Sequence, residues 1–349
     1  MNSINIDEQF FGRQSSLELL ERRILDLKDG YRQNVALLGN KYVGKSSLFY
    51  RFLTRFDDPD VTTIYLDLEN KDFNYFFHKF VTTLLYNFSK SQHLPLHEDL
   101  NLLLESVKSR IPHTVQVIRK IQAAFEGKKL ADCFLGLLTL PEIFTNESGK
   151  FCVLILDEFQ NIEDYPIPNI FQELGKKIMT QKRCLYIVAS SYPSLAKKIL
   201  AEKLSLLFGN FEIVDVEPFD HESSQKFIEQ SIKEHNIGMH LRNFLTDFTG
   251  GYPLYLSLIC RELNNLSAIY KQSEIYMPLL SQAVENTIFD KWGVISRHFE
   301  LIINDLCNGK GNRIISSLLI AVSNGKHKLE DVVDEVGGTK HQVRQKLNR

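Results

Sequence analysis

The chain has 349 residues, more than one average domain, so two or three domains are expected. Hydrophobic residues make up 44% and charged residues 24%, a balance that allows large buried cores and excludes a disordered or membrane-spanning polypeptide. A formal net charge of -2 excludes a global basic field for nucleic acid, so any such contact must come from a local basic surface. Cys133, Cys152, Cys184, Cys260 and Cys307 are odd in number, far apart and without zinc-ligand spacing. They read as buried free thiols of a reducing cytoplasm rather than a disulfide framework. The opening stretch MNSINIDEQFFGRQ has neither the basic nor the apolar region of a signal peptide. No run approaches the ~18 apolar residues that a membrane span needs.

In chain order, the first strong element is the apolar run NVALL at 34–38, which reads as a buried parallel strand. A helix follows from Ser46 to Phe56, with Leu48, Phe49, Phe52, Leu53 and Phe56 at helical spacing, and Asp57, Asp58, Pro59 and Asp60 stop it. TTIYLDL at 62–68 is a second strand. Residues 71–145 carry no strand signal and read as several helices, broken near 91–95, Pro112 and Gly127. Their aromatic-rich start, Phe73, Tyr75, Phe76, Phe77 and Phe80, reads as core rather than partner surface. FCVLIL at 151–156 is the strongest buried strand, ended by Asp157-Glu158. CLYIVA at 184–189 ends at Ser190-Ser191, and FEIVDV at 211–216 is a weaker strand closed by Pro218. Strands alternating with helices predict an α/β parallel sheet. Residues 221–290 show only helical periodicity, broken at Thr249-Gly250-Gly251-Tyr252-Pro253, and shorter amphipathic segments follow at 312–322, 328–335 and 339–347.

Between the first strand and its helix lie Gly39, Asn40, Lys41, Tyr42, Val43, Gly44, Lys45 and Ser46, followed by Ser47. Gly-x-x-x-x-Gly-Lys-Ser in this setting is a P-loop. The glycines let the loop curl so that backbone N–H groups face a phosphate, and the helix adds its positive N-terminal end. Lys45 is expected to reach the β- and γ-phosphates, and the Ser46 hydroxyl to ligate Mg²⁺. Asp157, at the end of an apolar strand, is expected to hold the Mg²⁺ shell, and Glu158 to orient or deprotonate an attacking water. Read alone, that acidic pair would serve equally as a helix N-cap. Ser190 and Ser191 stand at a strand end from which they could touch the γ-phosphate or the water, or cap the helix after Pro193.

With these residues in place the chain resembles the STAND and archaeal-type ATPase branch of the AAA-like P-loop NTPases, and shares features with origin-recognition-type initiator ATPases. Four motifs carry the resemblance: Phe11-Gly12-Arg13 before an amphipathic helix, GNKYVGKSS, VLILDEFQNI, and Gly250-Gly251-Tyr252-Pro253. The resemblance covers roughly residues 10–290. It implies an α/β P-loop NTPase fold with a parallel sheet sandwiched by helices, then an α-helical lid and a winged-helix-like C-terminal segment. It also implies that Phe11 and Arg13 line the adenine and ribose, and that Pro253 packs near the base. Relatives often carry an arginine after Phe-Gly near the last core strand; here Leu207-Phe208-Gly209 is followed by Asn210. Others carry one after the sensor strand, where this chain has Ser190-Ser191-Tyr192. The first departure argues against fast, oligomer-dependent hydrolysis, and the second against nucleotide sensing by an arginine at that place.

The domains expected are an ATPase core at 1–218 with a helical insertion at about 71–145, a helical lid at 219–295, and a winged-helix-like segment at 296–349. In the last, Gly337-Gly338 makes the turn and Thr339 caps TKHQVRQKLNR, whose Lys340, His341, Arg344, Gln345, Lys346 and Arg349 form a candidate DNA-reading face. The chain stops before a wing hairpin, so it is either truncated at Arg349 or wingless. The function expected is a cytoplasmic, ATP- and Mg²⁺-dependent molecular switch. It would exchange ATP and ADP, hydrolyse slowly through Glu158 and Lys45, and act on a protein partner or its own copies. The alternative is a DNA-loading or remodelling ATPase gripping the duplex through 339–349. No kinase signature set is present.

Overall fold

Five strands form one parallel sheet: β1 (Asn34–Leu38), β2 (Val61–Asp67), β3 (Phe151–Asp157), β4 (Cys184–Ser190) and β5 (Phe211–Asp215), in the order β2-β3-β4-β1-β5. The computed structural model describes residues 10–204, 209, 211–232, 235–307, 313–337 and 339–347. They fall into two compact units, one of residues up to 223 together with 252–254, the other of 224–251 together with residues from 255 on.

The first unit is built on the sheet. β1 and β4 are buried at every position, as parallel strands covered on both faces must be. Their side chains alternate. Val35, Leu37, Leu185, Ile187 and Ala189 face one hydrophobic cluster. Ala36, Leu38, Tyr186 and Val188 face the other. The first cluster is closed by α1 (Gln14–Lys28), through Leu17, Leu20, Ile24 and Leu27, and by α2 (Lys45–Arg55), through Leu48, Phe49 and Phe52. These are one-face helical spacings.

The other face is covered by α3 (Phe73–Ser91), α4 (Leu100–Val107), α5 (Pro112–Glu126) and α6 (Leu130–Ser148). Phe73, Phe76, Phe77 and Phe80 lie within this core, and Phe77 stacks on Phe125 at 4.6 Å between ring centroids. β3 runs into a short 3₁₀ turn, Phe159–Asp164, then α7 (Ile170–Thr180), and β4 is followed by α8 (Pro193–Lys198). Cys133, Cys152, Cys184 and Cys260 are buried and free. The side chain of Cys307 lies outside the described residues.

In the second unit, which takes up α9 (His221–Ser231) from Ser224 on, come α10 (Met239–Thr249), most of α11 (Pro253–Tyr270) and α12 (Met277–Val284). Gln225 of α9 donates to Asn243 at 3.0 Å and to Thr246 at 3.2 Å on α10. The expectation of purely helical structure at 221–290 misses one feature. Asn236–Ile237 and Glu274–Ile275 pair as a two-residue parallel ladder, too short for alternation to register as a period. Further on are α13 (Val294–Cys307), α14 (Arg313–Ser323), α15 (Leu329–Val336) and α16 (Lys340–Leu347). The last three pack around Leu318, Ala321, Val332 and Val343. Among the described residues no helix is long and apolar enough to cross a membrane.

Candidate functional site

The candidate site forms at the C-terminal ends of β1, β3 and β4, where the loops after three adjacent strands meet. β4 lies between the P-loop strand and the Asp157 strand, so its end faces both.

Gly39 leaves β1 buried and donates its N–H to the Ser190 carbonyl at 3.3 Å. A Cβ there would stand 2.1 Å from the Val216 carbonyl oxygen, so no side chain fits. Tyr42 at φ 68° and Gly44 at φ 100° turn the loop into α2. Asn40 donates its side-chain amide to the Tyr252 hydroxyl at 3.2 Å, and Lys41 pairs with Glu69 at 2.7 Å. Val43 is buried in the core beneath the loop, and its carbonyl accepts from Arg13 at 3.1 Å. Ser46 and Ser47 are exposed on the first turn of α2.

Lys45 is 5% exposed and donates to the carbonyls of Gly39 (2.7 Å) and Asn40 (3.0 Å) and to the Ser191 hydroxyl (2.9 Å). Burial pushes its ammonium down from the usual lysine range, while Glu158 and Asp157 pull it back up. Asp157 is 2% exposed. Its Oδ2 accepts from the Ser46 hydroxyl at 2.9 Å and the Tyr65 hydroxyl at 3.1 Å, and its Oδ1 from the Glu158 N–H at 3.1 Å. Burial raises the Asp157 carboxyl above the ordinary aspartate range, against the bonds from Ser46 and Tyr65.

Glu158 sits at φ 53°, in the left-handed region that non-glycine residues seldom occupy. It makes no side-chain cap to the turn that follows. Its carboxylate instead accepts from the Ser191 N–H at 3.0 Å, the Ser191 hydroxyl, and the Gln160 amide at 2.8 Å. A backbone held off its preferred conformation to aim a carboxylate is common at functional sites.

Of the two serines after β4, Ser191 bridges Lys45 and Glu158, whereas the buried Ser190 hydroxyl accepts from the Tyr192 N–H at 3.0 Å, a local cap. Arg13 and Phe11 are not part of the carboxylate cluster. Arg13 donates to the carbonyls of Val43 and Glu217 and lies over the Phe219 ring at 5.3 Å, and Phe11 meets that ring edge-on at 5.6 Å. Pro253 is half-buried in the first turn of α11, after Gly250 (φ 58°) and Gly251 (φ 71°).

Asn210, Leu207, Phe208 and Gly338 lie outside the described residues, as do Arg349 and the side chains of Gln345 and Lys346. Tyr65 and Glu69 were not legible as site residues, since each comes from outside every motif; Gln160 and Tyr252 stand inside recognised motifs, but nothing in those motifs marked them as partners of Glu158 and Asn40.

Among the described residues no cluster of three or more His, Cys, Asp or Glu side chains could hold a metal alone. The hydroxyl of Ser46 and the buried carboxylate of Asp157 are a hard-oxygen pair suited to Mg²⁺, which takes few protein ligands and completes its shell with water and phosphate oxygens.

No protein-family model matches the chain, and no curated protein matches it in sequence. Solved structures do match. The chain is similar to a Walker-type ATPase of Pyrococcus abyssi, at 16% identity and TM-score 0.65, covering 98% of this chain and 90% of that one. It is similar to the ORC2 protein of Aeropyrum pernix, solved as ADPNP-ADP complexes, at 14% identity and TM-score 0.60 over 98% and 87%. It is also similar to Drosophila ORC bound to DNA, at 10% identity and TM-score 0.51 over 98% and 73%. At these identities the likeness carries the fold: the chain has the α/β fold of ORC-like P-loop ATPases.

Proposed function

We propose that this chain binds ATP with Mg²⁺ on the loop 39–47, hydrolyses it slowly, and works as a nucleotide-dependent switch of the STAND type. The observation that carries this reading is the convergence of Lys45, Ser46, Asp157, Glu158 and Ser191 at three neighbouring strand ends. Burial disfavours the charge on both Lys45 and Asp157. A nucleotide phosphate gives Lys45 an anion, and a divalent cation gives Asp157 its counter-charge. Bound Mg²⁺ would neutralise developing charge on the phosphate oxygens. Ser46 would hold it directly and Asp157 through water, while Lys45 binds the β- and γ-phosphates.

Glu158 is the candidate base that takes a proton from the attacking water. Both of its oxygens are engaged by Ser191 and Gln160, so it must exchange a partner before it can serve. That supports slow turnover. Arg13 and Phe11 against Phe219, and Pro253 beside Tyr252, are assigned to the adenosine end. The buried free thiols suit a reducing, cytoplasmic compartment. The switch would act on a protein partner or a second copy.

Equilibrium ATP binding and steady-state turnover test this. Wild type binds ATP, Lys45→Ala loses at least about tenfold in affinity, equivalent to ~1.4 kcal/mol, and Glu158→Gln binds but does not turn over. Wild-type turnover no higher than that of Glu158→Gln would remove the hydrolytic part.

A second reading, a DNA-binding ATPase with a winged-helix-like end, is favoured by the basic side chains Lys328, Lys340, His341 and Arg344, which line one recess with Leu329 and Glu330. The similar ORC structure solved on DNA is in keeping with it. Lys340 already pairs with Glu330 at 2.7 Å, which weakens the field there. Duplex binding that falls steeply with salt, and further with Arg344→Glu, would bring this reading forward.

A further inference from the structure

Tyr65 stands on β2, separated from the P-loop strand by two other strands and outside every motif, yet its hydroxyl donates to the Asp157 Oδ2 that also accepts from Ser46. Its ring lies in the cluster under α2, 6.0 Å from the Phe49 centroid. A phenylalanine would fill that space equally well. Tyr65 is half-buried, so packing of its ring does not account for the hydroxyl, which is spent on the bond to Asp157.

Among the described residues the Asp157 carboxylate has three protein donors: Glu158 N–H on Oδ1, and Tyr65 and Ser46 on Oδ2. Two of them belong to the proposed chemistry, since Glu158 is the candidate base and Ser46 the candidate metal ligand. A serine hydroxyl that gives a lone pair to a cation has its orientation set by that cation, so it does not fix the carboxylate before the cation arrives. Tyr65 is the donor with no other duty. It comes from the neighbouring strand, held rigidly by the β2–β3 ladder that pairs Tyr65 with Ile155.

We propose that Tyr65 is a positioning residue for the divalent cation. Its phenol fixes the rotation of the Asp157 carboxylate, so that the lone pairs left over face Ser46 and the P-loop. This rests on the reading that Ser46 and Asp157 hold Mg²⁺. Donors of this kind, bonded to a metal-binding group rather than to the metal, typically contribute 10–100-fold in metal affinity.

The test uses the full chain, a fluorescent ATP analogue, and titration with Mg²⁺ against a series in EDTA. Manganese binding to the protein–nucleotide complex, read by electron paramagnetic resonance, is a second readout independent of turnover. Tyr65→Phe should weaken the apparent Mg²⁺ and Mn²⁺ affinity by about tenfold. Its nucleotide affinity in EDTA and its unfolding temperature should stay at the wild-type values. Ser46→Ala serves as the positive control for loss of the cation-dependent gain. If Tyr65→Phe keeps the full cation-dependent gain, the proposal is overturned. If it loses affinity equally with and without cation, or melts early, Tyr65 is structural and the proposal is again overturned. Absence of any nucleotide binding by the wild type is a different result, and sinks the nucleotide reading itself.

Discussion

At the scale of single residues, the loop 39–46 is where spacing alone carried the most. Gly39 illustrates the reason. The motif asks for glycine so that the chain can curl around a phosphate, but the folded chain adds a steric demand, since a Cβ would stand 2.1 Å from the Val216 carbonyl oxygen. That clash is with backbone and has no side-chain escape. Gly39→Ala should therefore cost about 1–3 kcal/mol or more, as overpacked sites do, read as a lower denaturant midpoint at unchanged slope. Gly30→Ala meets nothing within 4 Å; its φ of 90° confines its penalty to backbone strain, making it the comparison that isolates the clash. Lys45, Ser46, Asp157 and Glu158 could be named from sequence because each follows a strand or opens a helix at a fixed offset. Tyr65, Gln160 and Ser191 act on Asp157, Glu158 and Lys45 through folded geometry, and Tyr252 acts on Asn40 of the loop. Ser191 stood beside a recognisable strand end, but whether it or Ser190 faces the site is a matter of one residue of rotation.

At the scale of elements, strands and helices were legible because buried parallel strands read as apolar runs and helices as one-sided stripes. The order of the strands was not. Nothing in the local sequence says that β4 slots between β1 and β3, although that insertion is what brings Ser191 between Lys45 and Glu158. Nor does the sequence show how α5 begins. Its N-cap, Ile111, has no side-chain acceptor. Glu147, from the end of α6, accepts instead from the N–H groups of His113 and Thr114, each at 2.7 Å, and from the Thr114 hydroxyl at 2.6 Å. Partial burial alone would raise the Glu147 carboxyl, but these bonds outweigh it and hold it below the ordinary glutamate range. A carboxyl depressed in the folded state stabilises above its unfolded pKa, and loses that contribution as pH falls through the folded value. Glu147→Ala should thus cost about 1 kcal/mol at pH 7, as lost caps do. The gap to wild type should begin to narrow as pH falls past the unfolded glutamate value of roughly 4.3, and close at low pH once the depressed folded value is passed. Urea unfolding at both pH values measures it; a gap that persists at low pH would assign the loss to packing instead.

At the scale of the whole molecule, the segment Tyr252–Leu254 belongs with the sheet-bearing unit, while Gly251 before it and Tyr255 after it belong to the other. The chain thus passes from the second unit into the first and back within three residues, and Tyr252 is bonded there to Asn40 of the P-loop. Gly250 and Gly251, both at positive φ, make the turn that permits this excursion. If nucleotide acts as a signal, Asn40 is the P-loop residue whose side chain carries it to Tyr252, within the same unit. Tyr252→Phe removes one hydrogen bond of about 0.5–1.5 kcal/mol without touching a phosphate ligand. Affinity for ATP should therefore fall no more than about tenfold. The larger effect should appear in hydrogen exchange of the amides at 250–256. In wild type, ATP and ADP should give distinct protection there, and in Tyr252→Phe the two states should converge. Equal exchange in wild type with either nucleotide would show that this junction carries no signal. Persistent distinction in the variant would show that the signal travels by another contact than the Asn40–Tyr252 bond.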